Sequence, residues 1–306
     1  MKGDGMLNAA WLKEKALEWG AAAVGIGDIA RFDGAPPQRD PRRILPDATC
    51  VIGCAIRVPR MLYRVMADRE QYMNYTQLGV KFIDEDLAEI LLLKLGGLIE
   101  DAGYDACLQR NISNLRIKGD PTTNPEVIDT YELTHAEAVA PGKPPPEIIL
   151  DFNHAAQACG LGAPGMSGHL LVPELGPFVR LVFIVTDAPL ACDPPFTRDL
   201  CDRCGACVRS CPGHAVSETG TESWQCAVYY RGAHRSNPFM TEDFLKDDPE
   251  REAILNGDRR FDRESARALY PHLDFLPSRP TGYAPCLCGR ACDMACYRHL
   301  KGEGRL

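Results

Sequence analysis

The stretch CDRCGACVRSCPG sets Cys201, Cys204, Cys207 and Cys211 in the spacing C-x2-C-x2-C-x3-C-P. Thiolates this close can wrap one face of a cubane iron–sulfur cluster, and the proline ends the turn so that the fourth thiolate reaches a second cluster. A structural zinc site is the competing reading, but zinc ligand pairs usually stand further apart in sequence. Two 4Fe–4S clusters need eight thiolates in all. Downstream lie Cys226 and, in the closing APCLCGRACDMACYRHL, Cys286, Cys288, Cys292 and Cys296. In two-cluster logic the last cysteine returns to the first cluster, which assigns Cys201, Cys204, Cys207 and Cys296 to one site. The x3 spacers of Cys288, Cys292 and Cys296 put these thiols along one side of a helix. Cys288 and Cys292 therefore join Cys211 and Cys226 in the second site, and Cys286 is left over.

The chain has 306 residues and 14 cysteines, of which Cys50, Cys54, Cys107, Cys159 and Cys192 precede the dense set. Those five read as small core hydrophobes. The N-terminus lacks the apolar h-region of a signal peptide, and PRR at 41–43 has no hydrophobic segment behind it. AEILLLKLGGLI (88–99) is too short for a membrane span and carries a charge. The expectation is a cytoplasmic protein, where a reducing environment makes metal ligation the better use of clustered cysteines. A net charge of −8 argues against a nucleic-acid partner, since a phosphate-binding groove calls for surplus Lys and Arg.

The elements that must carry these thiols read as an alternating α/β part followed by a cysteine-rich part. AAWLKEKALEWG (9–20) has helical periodicity and stops at Gly20, AAVGIG (22–27) and ATCVIGCAIRV (48–58) read as buried strands, and IDEDLAEILLLKLGGLIEDAG (83–103) reads as a long amphipathic helix. Residues 118–147, rich in Pro and polar residues, read as a long loop of the kind that forms a lid or substrate wall. DFNHAAQACG (151–160) suggests a short helix, and 168–187 two strands around PELGP. Residues 188–200 form a linker, and the charged stretch 246–268 reads as solvated.

The front part is also recognisable. ACGLGAPGMSGHLLVPELGPFVRLVFIVTDAPLACDPP (158–195) resembles the A-G-L-G…G-K-x-x-L-L…G…L-T-D-x-P-L…D-x-P block shared by epoxyqueuosine reductases and corrinoid reductive dehalogenases. In those families the block leads directly into a two-cluster ferredoxin module, as it does here. WGAAAVGIGDI (19–29) and LPDATCVIGCAIRVP (45–59) resemble their N-terminal strands, and SWQC (223–226) resembles their fifth-ligand segment. The resemblance implies an α/β (α+β) fold, with a nitroreductase-like cobalamin-binding domain over 1–192 and a ferredoxin-like domain with two 4Fe–4S clusters over 193–306. Base-off cobalamin would sit with the clusters in line towards its cobalt, and Gly160, Leu161, Gly162, Gly168 and His169 would contact the corrin or its nucleotide tail.

Departures from the families shape the rest. NYTQLGVKFIDED (74–86) stands where epoxyqueuosine reductases carry R-D-Y-H, and PEIILDFNHAAQ (146–157) lacks their D-x-x-P-x-L-E-R segment, with Glu147 and Asp151 nearby but out of register. A small-molecule substrate is therefore expected in place of tRNA, with Tyr75, Tyr131 or His154 as catalytic proton donor, and Tyr104 as a further tyrosine candidate. The implied activity is an oxidoreductase fed by a low-potential ferredoxin- or flavodoxin-type donor. Two other readings stay open: a protein that reduces the cobalt of a partner corrinoid protein, and a relative with flavin in place of corrin.

Overall fold

Runs of β-branched and small apolar residues form a central sheet from β1 (Ala23–Asp28), β2 (Cys50–Arg57), β3 (Ala106–Gln109) and β4 (Val179–Thr186). The computed structural model describes residues 7–68, 70–111, 142–143, 147–276 and 283–306, with backbone alone for 115–117 and 130–132. Strand order is β1-β2-β4-β3 and every pairing is antiparallel, with Ile52 opposite both Ile26 and Ile184. β2 is buried along its length up to Arg57, as a strand covered on both faces must be.

Helices cover both faces. α1 (Ala9–Glu18) begins where the Asn8 side chain accepts the Trp11 N–H at 3.0 Å. α2 (Arg60–Ala67) follows β2. The chain then enters helical turns wider than α over Tyr75–Lys81 and Ile83–Leu87 before α3 (Ala88–Asp101). Leu12, Ala16, Leu91, Leu95 and Ile99 of α1 and α3 pack on Ile26, Ile52, Ile56 and Ile184. The opposite face is closed by α4 (Phe152–Ala158), where Ala155 and Ala156 lie with Val51, Ala55, Phe183 and Val185. β1 runs so near the end of α4 that a Cβ at Gly25 would fall 1.9 Å from the Cys159 carbonyl oxygen. Only glycine fits there.

The Asp193 carboxylate ties the following segment to the sheet, accepting from the Ile26 N–H at 2.7 Å and from Lys13 Nζ at 2.5 Å. Beyond it come α5 (Ala206–Ser210), α6 (Ser223–Tyr230), α7 (Arg251–Asn256), α8 (Arg263–Leu269) and α9 (Ala291–Gly302). Trp224, Val228, Tyr229, Ile254, Leu255, Phe261 and Leu269 form a separate small core. Charged as 246–268 is, its apolar positions therefore hold α6 in place. α9 lies against α5, while Cys286 and Met294 join the core under the front sheet.

Two expectations need correction. Of 168–187, only the second strand is substantial. The first is the two-residue Leu170–Leu171, which pairs with Ala163–Pro164 because the chain folds back at once through the Val172–Gly176 bridge. Cys192 is exposed and Cys107 half-buried, whereas Cys50, Cys54 and Cys159 are core residues as read. The edge position of β3 and the surface course of the linker explain the two exceptions. The loop reading of 118–147 lies largely outside the described residues. No described helix is long and apolar enough to cross a membrane.

Gly25→Ala should destabilise the fold by about 1–3 kcal/mol, the usual scale of overpacking, with a lower urea midpoint at unchanged m-value. An unchanged midpoint would contradict the tight β1–α4 approach.

Candidate iron–sulfur and cofactor site

Cys201 and Cys204 sit on a loop whose turns need unusual backbone angles, while Cys207 lies in α5 and Cys211 closes it. Arg203 (φ 56°) and Gly205 (φ 72°) are both left-handed, which curls the loop around a common centre before α5 begins. Two backbone N–H groups point at sulfur: Met166 donates to Cys201 Sγ at 3.4 Å and Ala215 to Cys211 Sγ at 3.3 Å. Such N–H···S contacts tune bound clusters. α9 brings Cys296 alongside. Burial, then the neighbouring Cys207, Asp293, Cys201 and Cys204, pushes its thiol up to about 12. Cys226 on α6 is pushed up to about 12 by burial and by the nearness of Cys288 and Cys211. Cys292 is raised by burial, by Asp293, and by Cys288 and Cys226. Cys296 thus has Cys207, Cys201 and Cys204 as electrostatic neighbours, and Cys226 has Cys288, Cys211 and Cys292. Thiols held protonated by burial and mutual repulsion release those protons when they ligate metal. Cys286 is fully buried with its Sγ 3.8 Å from Cys288 Sγ.

Beside the second group lies a charged triad. Asp293, 1% exposed, accepts from Arg290 Nε at 2.7 Å and from a second guanidinium nitrogen, and its other oxygen is 2.6 Å from His169 Nδ1. Burial opposes the Asp293 charge, but Arg290 and His169 outweigh it and hold the carboxyl at about 2. Arg290 caps α9 in the left-handed region at φ 49°, a strained conformation for a residue of its size.

Arg290 and His169 open onto a cleft of about 550 Å³ between the sheet and the cysteine-rich part, within the range of about 300–1,000 Å³ usual for ligand pockets. Gly168, Asn153, Arg180, Cys226, Tyr230 and Tyr283 are among its walls. Gly168 turns there at φ 76° with its carbonyl taken by Asn153 Nδ2 at 2.9 Å. Arg180 pairs with Asp84, and the Tyr283 hydroxyl donates to Glu85, a bond that raises the phenol pKa. Cys226 is the point of contact: it belongs to the second thiol group and also lines the cleft.

Comparison with known proteins bears on this arrangement. Residues 194–217 match the 4Fe–4S binding domain family. The chain is 43% identical over 63 residues to the epoxyqueuosine reductase of Synechococcus sp. (strain CC9605), covering 21% of this chain and 19% of that protein. It is 38% identical over 66 residues to the tetrachloroethene reductive dehalogenase of Sulfurospirillum multivorans, covering 21% of this chain and 13% of that protein. A solved reductive dehalogenase described as B12-dependent aligns with 88% of this chain and 37% of its own at 17% identity and a TM-score of 0.50. The chain resembles the epoxyqueuosine reductases and corrinoid reductive dehalogenases. The shared fold extends over most of this chain, while the matched segments span no more than about a fifth of those two curated relatives.

Against that resemblance, Gly168 and His169 line the cleft, but Gly160, Leu161 and Gly162 face protein. A Cβ on Gly160 would meet the Pro194 carbonyl at 2.6 Å and one on Gly162 the Leu171 carbonyl at 2.1 Å, while Leu161 is a core residue. Their small size serves close packing of the linker and the short hairpin. Tyr75, 3% exposed, sits behind the cleft wall against Tyr63. His154 points away, its Nε2 3.0 Å from the Arg31 carbonyl and its ring edge-on to Phe32. Tyr131 lies on the strand Thr130–Glu132, paired with Leu115–Ile117, and its side chain is outside the described residues. Asp151 lines the cleft, but its carboxylate caps α4 and pairs with Arg39 at 3.1 Å. Glu147 faces a different cavity, of about 620 Å³, along β3 and α3. Tyr230, Tyr283, Arg180 and Arg290 were not singled out by sequence.

Asp293→Ala should cost about 3–5 kcal/mol at neutral pH, because it leaves Arg290 buried without its partner. The wild-type contribution is complete above the ordinary carboxyl value of about 4 and is lost as pH falls towards about 2. Urea unfolding of the two proteins at pH 7 checks the first figure.

Proposed function

We propose that this chain is a cobalamin-dependent iron–sulfur reductase acting on a small molecule, with a cofactor domain over 1–192 and a two-cluster domain over 193–306. The observation that carries the proposal is Cys226, which shares the second thiol group and forms part of the cleft wall. A cluster held there would lie directly against whatever the cleft holds. The other group, whose loop carries the exposed Asp202 and Arg203, would receive electrons first. Bound in the cleft, a corrinoid would supply a low-potential metal centre for reductive cleavage of a substrate bond.

The chain's own residues support this reading. The Gly168 turn brings backbone to the cleft without a side chain in the way, and Asp293 fixes the His169 ring at its mouth. Arg180 and Arg290 each keep a carboxylate partner, so they supply directed N–H donors at little net charge. Tyr283 takes the place of Tyr75, Tyr131 and His154 as preferred proton donor. Its hydroxyl lines the cleft and Glu85 keeps it protonated. A cleft with Cys226 in its wall favours a group bound by this chain over the role of an activator that reduces the cobalt of another protein. The expectation against nucleic acid rests on overall charge alone. The comparisons lend it no support, since one epoxyqueuosine reductase was solved with a tRNA stem loop.

Anaerobic reconstitution with iron, sulfide and hydroxocobalamin should give about eight irons per chain and a base-off Co(II) signal in electron paramagnetic resonance. Absence of that signal would defeat the cobalamin assignment. Cys292→Ser should lose one cluster, whereas Cys286→Ser should keep both. The reverse result would mean that Cys286 is a ligand.

A further inference from the structure

The surface around the first thiol group runs against the net charge of the molecule. Residues 194–218 and 296–306 contain six Lys and Arg against four acids, although the whole chain carries −8. Those cations are Arg198, Arg203, Arg209, Arg298, Lys301 and Arg305, five of them exposed and Arg305 half-buried. Several guanidinium groups elsewhere, those of Arg39, Arg42, Arg180, Arg235 and Arg290, pair with a carboxylate. Among the described residues, none of the six does so. Arg209 donates to the Cys204 carbonyl at 2.8 Å, Arg203 to the Glu218 carbonyl at 3.2 Å, and Arg305 to the carbonyls of Leu200 and Asp199 at 3.0 and 2.6 Å. A carbonyl fixes a guanidinium in place without cancelling its charge. Of the four acids, Asp202 is itself engaged, 2.6 Å from His299 Nε2.

We infer that this face is the docking surface for a small acidic one-electron carrier protein, which delivers electrons to the group formed by Cys201, Cys204, Cys207 and Cys296. The inference rests on the proposed assignment of that group to a cluster. Charge complementarity selects the occupant. The net charge of −8 repels an acidic protein, and this cationic face offsets that repulsion beside the cysteine loop, where electron transfer is productive. Such steering acts mainly on the association rate and fades with salt. Electron-transfer encounters also need only a small, weak interface, in keeping with a face that is charged and not apolar.

The test uses the reconstituted protein with reduced flavodoxin as the acidic probe and photoreduced deazaflavin as a small neutral one, following cluster bleaching by anaerobic stopped flow. Arg198, Arg298 and Lys301 make no hydrogen bond to the cysteine loop, so Arg198→Glu, Arg298→Glu and Lys301→Glu are combined in one variant. Iron content is confirmed first, and single reversals at Arg298 and Lys301 replace the triple one if iron is lost. Reduction by flavodoxin should slow as salt rises from about 20 to about 300 mM and be roughly tenfold or more slower in the variant at low salt. Reduction by deazaflavin should be equal in both proteins. Salt-independent rates, an unaffected variant, or no reduction by flavodoxin where deazaflavin succeeds would each overturn the inference. Bleaching reports the clusters alone, so a failed cobalamin assignment would show separately and leave this result standing.

Discussion

A carboxylate with almost no solvent sits between two functional regions, and the placement of the last helix depends on keeping it charged. Asp293 follows Cys292 directly, and its two oxygens hold Arg290 on one side and His169 on the other. Arg290 belongs to the turn that starts α9, and His169 belongs to the glycine-rich turn beside the cleft. One ion-paired network therefore fixes the start of the helix that carries Cys292 and Cys296 relative to the wall of the cleft. It acts together with the packing of α9 on α5 and the His299–Asp202 contact, which hold the thiols from the end of the chain against those from Cys201 to Cys226. Burying such a triad carries a desolvation cost. Its retention is understandable where a ligand set and a pocket must share one geometry.

The resulting architecture explains why the two regions cannot be separated cleanly at residue 192. Cys286 and Met294, late in the chain, complete the core beneath the front sheet, and Asp193 is bound to β1 and α1. The cleft takes walls from both parts, so its shape exists only when they are docked. Cofactor access and thiol placement are thus coupled through packing and not through a flexible linker.

Some of this was legible from sequence because the chemistry is local. The C-x2-C-x2-C-x3-C-P spacing constrains three thiols to one centre by chain length alone, and the apolar runs of β1 and β2 can only be buried strands. The glycine-rich block was legible as a unit, but its individual roles were not. Gly160 and Gly162 answer to the carbonyls of Pro194 and Leu171, contacts made across tertiary structure and invisible to a linear pattern. His154 was misjudged for a similar reason: Asp151 caps α4 and so sets the helix phase that turns the ring towards Phe32. Tyr75 falls in turns wider than α, where ordinary helical spacing no longer says which way a side chain faces. The cleft draws its walls from short, separated segments, and no window of sequence contains enough of them to announce it.

The thiols of the cysteine-rich part also bear on its stability. Among the described residues its strands are a single pair of two residues each, Val216–Ser217 with Gly220–Thr221. Its own apolar core, around Tyr229 and Phe261, lies on the far side of α6 from the cleft. Between α5 and α9 the packing instead consists largely of the cysteines, with Met166, Val216 and Leu300 around them. Small domains with so little apolar interior usually depend on a metal or disulfides for stability. Ligand binding in such a domain contributes directly to folding. The clusters would then act as the missing core between α5 and α9, so that loss of iron loosens the contact on which the cleft itself depends.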